Sequence, residues 1–331
     1  MSNEHLFRGR VDRREFLTLG VGVFVALSMP RAMRRHTSLV KRSVPLMGTI
    51  AEIQVAHVDP RFAEDAIDDA IAELEWVERT MTRFRNDSDI GRANLYAARD
   101  GVRVAPQTAL VIAAALRASS ASDGRFDPAV GAASELWDVL NRHEPPPANR
   151  VARLAARGFW RKVDVTDGPG SPRVRFNDRD LHLDLGAIAK GYGIDRATDV
   201  LRRRGVKHAI VTVGGDLFAL GHSPDGEPWT VGIRSPHDEQ ALAATLRVSD
   251  RAVATSGDYE RFFMWHGKRF HHLIDPSTAA PRLTTFHSAT VLANCCIDAD
   301  AASTSVFGLP KDAALNIARR LDPGAEVIPL T

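Results

Sequence analysis

The chain reads as α+β, on three observations. Helical and strand periods are mixed along it without a regular βα alternation, which argues against a doubly wound parallel sheet. Its second half passes through a succession of short strand patterns, "WTVGIRS", "ATLRVSDRAVATSG", "KRFHHLIDP" and "HSATVLAN", before closing on two helical segments. No internal repeat, low-complexity tract or linker divides it, so residues 39–331 read as a single compact unit with room for two lobes. At 331 residues, 44% hydrophobic and 25% charged, the chain has ample material for such a core.

Residues 1–38 read as an export leader. "VDRREFLTLGVGVFVALSMP" sets Arg13 and Arg14 ahead of Phe16, Leu17 and a short apolar run over 17–29, the layout of a twin-arginine signal. That run is shorter than the ~20 residues a membrane span needs, so a signal is expected in place of a permanent anchor. "ALSMPRA" is a poor small-x-small cleavage match, and no cysteine stands there to be lipidated. The expected location is therefore the periplasm, with membrane association if the leader is not cleaved. Because this route carries folded proteins, often with a cofactor aboard, it also hints at a cofactor or metal.

The elements then follow in order. "VPLMGTIAEIQVAH" alternates as a strand and leads into "DPRFAEDAIDDAIAELEWVERTMTRF", whose apolar residues recur at helical spacing. "NDSDIGRANLYA" breaks the pattern and reads as a loop. "APQTALVIAAALRASSASDG" is a helix opened by Pro106 and closed near Gly124. "NRHEPPPANR" is a surface excursion, "VARLAARGF" a short helix, and "KVDVTDGPGSPRVRFNDRDLHLDLG" a set of strands joined by turns. "AIAKGYGIDRATDVLRRRG" is a helix, "HAIVTVGGDLFALG" a strand, and "DADAASTSVFGL" and "PKDAALNIARRL" the closing helices.

A formal net charge of +2 is too small to argue for nucleic acid, and no nucleic-acid motif is present. The two cysteines, Cys295 and Cys296, are adjacent and cannot form a disulfide framework. They read as small packing residues at the end of the "SATVLAN" strand.

Three stretches invite chemistry. In "CIDADAASTSVFGL", a helix capped by Asp298 would put Asp300 and Thr304 one turn apart on one face, Asp300 as an exposed carboxylate. That pair is either a helix cap with a back-bonded threonine or two oxygen ligands of a hard cation such as Mg²⁺ or Ca²⁺. In "LDLGAIAKGYGIDRA", Gly186, Gly191 and Gly193 allow close backbone approach, to a ligand or to a packing neighbour, and Lys190 in the first turn of a helix suits phosphate. Asp184 would end the preceding strand, and the Ala187 carbonyl is placed to face a cation. In "VTVGGDLFALG", Gly214, Gly215 and Asp216 interrupt a strand pattern, as a bulge or a close approach. "TSGDYERFF" and "HHLIDPSTAAP" are polar, turn-rich stretches at strand ends, where site residues are commonly found.

Taken together, "MGT" (47–49), "RFDPAVGAASELW" (125–137), "DLGAIAKGYGID" (184–195), "GGD" (214–216), "SGDYERFF" (256–263), "HLIDPST" (272–278) and "DADAAST" (298–304) resemble, in order, the motifs of the ApbE-type FAD:protein FMN transferases. The resemblance covers nearly all of the chain after the leader. It implies an α+β fold related to the T-fold, FAD as bound substrate, and Mg²⁺-dependent transfer of FMN onto a Thr or Ser hydroxyl of an acceptor protein, with AMP as leaving group. It maps the metal onto the Ala187 carbonyl, Asp300 and Thr304. It maps the flavin nucleotide onto Met47, Thr49, Phe84, Arg125, Phe126, Asp127, Asp184, Lys190, Gly214, Gly215, Asp216 and Ile274. His272, Asp275 and Lys190 become the expected catalytic groups, with His272 taking the hydroxyl proton or else ordering Asp275. The implied acceptors are membrane or periplasmic electron-transfer flavoproteins. Two rival classes share these residues: a periplasmic protein that holds FAD or delivers it to a membrane flavoprotein, as in nitrous-oxide respiration, and an FAD pyrophosphatase that uses water as acceptor. The sequence departs from the family pattern at Ala279, where a glycine is usual, at Thr212, where an asparagine is common, and in the "SELW" ending at Trp137.

Overall fold

Apolar residues alternate so densely in the central strands that both faces of a sheet need cover, and the computed structural model shows what covers each. It describes residues 23–26, 37–166, 170–238 and 240–331. Arg13, Arg14 and most of the expected leader lie outside the described residues. Strands β1 (Val23–Ala26), β2 (Ser38–Leu46) and β3 (Thr49–His57) precede helices α1 (Pro60–Met81) and α2 (Asp89–Tyr96). Strand β4 (Val102–Arg103), helices α3 (Pro106–Ala121), α4 (Gly131–Trp137) and α5 (Ala148–Leu154), and strands β5 (Val163–Thr166) and β6 (Arg173–Phe176) follow. Next come α6 (Ala189–Arg203), β7 (Ala209–Val213), β8 (Asp216–Leu220), β9 (Trp229–Arg234), β10 (Leu242–Val248) and β11 (Arg251–Gly257). The chain ends through β12 (Phe262–Trp265), β13 (Lys268–His271), β14 (Ile274–Asp275), β15 (Ala280–Pro281), β16 (Ser288–Ala293), α7 (Cys296–Val306), α8 (Lys311–Leu321) and β17 (Glu326–Leu330).

Seven strands form one antiparallel sheet in the order β17-β16-β11-β8-β7-β3-β2. The period of two divides its side chains cleanly. Ile53, Val55, Val211, Val213, Phe218 and Ala254 face a core closed by α1, α6 and α7, whereas Ile210, Leu217, Ala219 and Val253 face Trp229, Val231 and Val248 of the three-stranded sheet β1-β9-β10. A sheet covered on both sides loses the apolar-polar alternation of a half-exposed one, which is why β7 and β8 read as continuous apolar runs. A second core lies among α2, α3, the small sheet β4-β6-β5 and residues 181–192. The α+β expectation and the single compact unit both correspond to this arrangement.

Four local readings need correction. "NDSDIGRANLYA" contains helix α2: the Ser88 hydroxyl accepts from Gly91 N, and buried Asp89 accepts from Arg92, Ala105 N and the Thr108 hydroxyl, so polar residues that look loop-like are spent on capping. "HAIVTVGGDLFALG" is a hairpin. Gly214 (φ 58°) and Gly215 (φ 93°) make the two-residue turn between β7 and β8, the left-handed geometry such turns need. Residues 181–185 are extended, with Leu181, Leu183 and Leu185 buried, but form no strand beyond a single bridge; their backbone groups pair with the Asn94 side chain, Gly131 and Pro128. Helix α7 begins at Cys296, ahead of Asp298, and buries Asp300 to 2% exposure, so this carboxylate is not an exposed one.

Glycines in α6 serve packing. A Cβ on Gly191 would stand 2.2 Å from the Cys296 carbonyl oxygen and 2.9 Å from the Asp300 Cβ, and one on Gly193 would touch Leu74 at 3.1 Å. Of the two readings left open for these residues, a packing neighbour is the one seen: α6 meets α7 and α1 there. Gly191→Ala is expected to force the two helices apart and lower stability by about 1–3 kcal/mol. Urea unfolding monitored by Trp fluorescence would measure it, and a variant as stable as the parent would refute the tight crossing.

Candidate active site

Helix α7 carries Asp300 and Thr304, and other parts of the chain hold it at both ends. The side chain of its cap residue, Cys295, accepts from none of the free N–H groups of the first turn and donates to Asp298. Instead, the Asp195 carboxylate of α6 accepts from Cys296 N (2.7 Å) and Ile297 N (2.8 Å). Burial pushes the Asp195 carboxyl up to about 7, against the pull of those two N–H groups. At the other end, Arg125 donates to the Ser305 and Phe307 carbonyls, and Arg282 to those of Thr304 and Phe307, while Leu309 N takes Val306. The carbonyls that a helix end leaves unpaired are thus satisfied, and an anion at the N-terminus with cations at the C-terminus also matches the helix dipole.

Between α6 and α7 lies a small charge cluster. Lys190 Nζ is 2.6 Å from Asp216 Oδ2 and 3.0 Å from Asp300 Oδ1. The second Asp300 oxygen accepts from Gly191 N at 3.0 Å, and Asp216 Oδ1 from Thr255 N at 3.0 Å. Burial alone would lower the Lys190 ammonium, but the Asp216 and Asp300 carboxylates more than offset it and hold its pKa above the usual value. Burial raises Asp216, with Lys190 pulling the other way. Two carboxylates against one ammonium leave one formal negative charge. Thr304 Oγ1 lies 3.0 Å from the Ser256 hydroxyl, which also meets Ser303.

Two hairpin turns stand side by side next to this cluster. Met47 (φ 56°) and Gly48 (φ 68°) join β2 to β3, and Gly214 and Gly215 join β7 to β8. Gly214 N donates to Ile50 O, and a Cβ on Gly214 would stand 3.0 Å from Thr49. Glu78 fixes the first turn by accepting from Met47 N at 2.8 Å. A methionine with positive φ is a strained residue, of the kind that collects at functional sites. The structure therefore brings together Met47, Thr49, Lys190, Gly214, Gly215, Asp216, Asp300 and Thr304. Ala187 lies in the turn three residues ahead of Lys190.

The other expected site residues are distributed around this centre. Phe84 is 80% exposed with the Arg83 guanidinium 4.3 Å from its ring centre, and Arg83 pairs with Asp184 at 2.9 Å. Asp127 is buried and accepts from Ala129 N and Trp160 N; burial pushes it up to about 6. The Phe126 ring belongs to the second core, the Ile274 side chain to a cluster with Trp137 and Phe263, and Nε and Nη2 of the half-buried Arg125 side chain to carbonyls at the end of α7. Asp275 is held by Ser277 N and Oγ. His272 Nδ1 faces the Arg261 carbonyl at 3.3 Å, which leaves Nε2 as the free lone pair. Burial, with Arg261 and His271 nearby, lowers this imidazole to about 3.

Of the departures from the family pattern, Ala279 has φ 52°, the backbone geometry that favours glycine, and its carbonyl accepts from the Trp137 indole at 2.8 Å. The Thr212 hydroxyl has no hydrogen-bond partner among the described residues. The sequence reading did not single out Asp195 or Arg282 as supports of α7. Asp195 stood inside a quoted motif, whereas nothing local marks Arg282, because its partners lie 22, 25 and 157 residues away.

The donors around Asp300 and Thr304 suit a hard cation. A carboxylate, a hydroxyl and a backbone carbonyl are all oxygen ligands, and Mg²⁺ commonly takes one or two carboxylates and completes its shell with substrate phosphates and water. Among the described residues no group of three or more His, Cys, Asp or Glu side chains could hold a metal, so phosphate and water oxygens would supply much of the coordination.

Residues 47–329 match the model of the ApbE family. Similar proteins include the FAD:protein FMN transferase of Haemophilus influenzae, 30% identical over 91% of this chain and 89% of its own, and that of Treponema pallidum, 32% identical over 87% and 83%. Among solved structures, the ApbE protein of Thermotoga maritima superposes with a TM-score of 0.79 at 28% identity, covering 88% of this chain and 94% of its own. The flavin transferase ApbE of Vibrio cholerae gives 0.76 at 27%, covering 88% and 93%.

The clamp at the start of α7 is open to a direct check. Asp195→Ala leaves two N-terminal N–H groups without acceptor and should cost about 1–2 kcal/mol, with Asp195→Asn recovering part of it. Chemical denaturation of the three proteins measures this, and an Ala variant of parental stability would contradict it.

Proposed function

The chain belongs to the ApbE family, and from that premise we propose that it is an FAD:protein FMN transferase acting in the periplasm after twin-arginine export. The observation that carries this reading is the joint placement of Lys190, Asp216, Asp300 and Thr304 beside the Met47-Gly48 and Gly214-Gly215 turns. In the proposed reaction a Thr or Ser hydroxyl of an acceptor flavoprotein attacks the FMN phosphorus of FAD. A new P–O ester forms, the pyrophosphate P–O bond breaks, and AMP leaves with the electron pair.

Each residue has a task that its geometry supports. Asp300, Thr304 and the Ala187 carbonyl would hold Mg²⁺, which when bound neutralises diphosphate charge. Lys190 is cationic whatever the pH of the compartment and can turn from its carboxylates to a phosphate oxygen. Asp216 keeps Lys190 anchored between β8 and α6. Gly48 and Gly214 supply the positive φ that the two turns need, and Gly214 lets the second turn pack closely on Thr49 of the first hairpin. His272 Nε2 takes the hydroxyl proton. An imidazole held near 3 is a weak base, but it is always unprotonated and available.

The deciding experiment is in-gel flavin fluorescence of a Thr-bearing acceptor domain after incubation with the chain, FAD and Mg²⁺. A denaturation-resistant fluorescent band abolished by EDTA is expected. AMP and free FMN without a labelled acceptor would instead identify a pyrophosphatase, and FAD binding without turnover a carrier.

Two predictions follow from the site. Asp300→Asn keeps the size of the buried side chain and leaves Lys190 paired with Asp216; transfer should fall by about 100-fold or more while the fold persists. Undiminished transfer by this variant would remove Asp300 from the metal site. The second concerns pH. A histidine lowered to about 3 in the folded chain stays neutral above that value, so transfer should show no loss centred near 6.5 as pH falls from 8 to 5. The linkage sign is also set: the unfolded chain protonates this ring below about 6.5 and the folded one does not, so its contribution to stability is present above 6.5 and is lost between 6.5 and 3. A rate profile with a single acid limb at 6.5, removed by His272→Gln, would contradict this assignment.

A further inference from the structure

We propose that Arg282 is a positioning residue that couples the 271–275 segment to the metal-binding face of α7; this rests on the reading of Asp300 and Thr304 as metal ligands given above. Arg282 is 6% exposed and meets no carboxylate at ion-pair distance among the described residues. Burial accordingly lowers its guanidinium to about 10. A buried guanidinium without an ion-pair partner is costly, and here hydrogen bonds to carbonyl oxygens, helped by the charge of Asp275, compensate it. Nη1 donates to Thr304 O (3.1 Å) and Phe307 O (2.8 Å), Nη2 to Arg125 O (2.8 Å), and Nε has no partner among the described residues.

The backbone of the same residue is tied to the opposite side of the site. Arg282 N donates to Leu273 O at 2.9 Å, and its carbonyl accepts from His271 Nε2 at 3.0 Å. Leu273 N in turn donates to His271 Nδ1, so the ring of His271 is a neutral bridge with both nitrogens engaged. One residue therefore grips both neighbours of His272 through its main chain and the carbonyl of Thr304 through its side chain. The planar fork fixes direction as well as distance, which a lysine ammonium does not. Thr304 presents its hydroxyl from the last turn of α7, where helices fray unless their carbonyls are satisfied. Arg282 sets that turn in register with the segment that carries His272 and Asp275.

A metal-binding readout separates this role from plain structural support. Mn²⁺ binding to the FAD-loaded chain, without acceptor, is titrated by the electron-spin signal of free Mn²⁺ for the parent, Arg282→Gln and Arg282→Lys, alongside FAD affinity in EDTA and the melting temperature. Expected are a Mn²⁺ dissociation constant raised about 10-fold or more in Arg282→Gln, partial recovery in Arg282→Lys, and metal-free FAD affinity within about 2-fold of the parent in both. A folded Arg282→Gln with parental Mn²⁺ affinity overturns the proposal, as does an equal loss of metal-free FAD binding. Should Arg282→Gln fail to fold, Arg282→Lys decides: weakened Mn²⁺ binding supports the role of the fork and parental binding overturns it. A parent chain that binds no Mn²⁺ with FAD overturns the metal reading itself, and this proposal with it.

Discussion

The site depends on how one helix is held. Helix α7 is short, rich in small residues and without a cap of its own, so neither propensity nor a hydrophobic stripe would fix its two ends. The Asp195 carboxylate supplies acceptors at the start, and the Arg125 and Arg282 guanidiniums supply donors at the finish. These are charge-assisted bonds to backbone groups in a buried setting, where an unmet partner costs more than a met one returns. Asp300 and Thr304 stand where they do because those ends do not fray. Close packing of the neighbouring helix serves the same purpose: Gly191 lets α6 come close enough for its own N–H to reach the Asp300 carboxylate.

The sheet contributes the other half of the site by a different means. Antiparallel pairing of β3 with β7 places the β2-β3 and β7-β8 turns at one edge, and the registers Leu46 with Thr49 and Val213 with Asp216 leave only two residues for each. Both turns take positive φ at both central positions, the type I′ pattern favoured in two-residue hairpins. Glycine adopts it three times and Met47 once, at a conformational cost that its hydrogen bond to Glu78 and its packing against both main cores offset. Asp216 follows directly on the second turn and so reaches Lys190. The chain builds its charge cluster from one helix start, one turn and one clamped helix.

Much of this was legible in the sequence, for identifiable reasons. The long period of α1, the Pro106 start of α3 and the four-residue spacing of Asp300 and Thr304 are local signals, and local signals survive without a structure. The motif order from 47 to 304 pointed to the same family that the comparisons support. What stayed hidden was tertiary. Helix α2 looks polar because its polar groups cap and pair internally, the 181–185 segment looks like a strand although its partners are a side chain and two loops, and Gly214-Gly215 looks like an interrupted strand because both flanking strands are covered on two faces. The hold of Arg125 on α7 is of the same kind: its guanidinium faces carbonyls 180 and 182 residues away, a distance no window can span.

The two cores invite a view of the molecule as two halves, yet two helices run through both. Helix α1 buries Ala63, Ala66, Ile67 and Leu74 in the sheet core and Val77 and Met81 in the other, and α6 does the same with Ile194 and Leu201 on one side and Ala189 and Tyr192 on the other. Neither half can melt without stripping the shared helices of half their apolar cover. The two cores are therefore coupled through shared helices, and Lys190 and Met47 stand at their junction, where loosening one core strips apolar cover from the other.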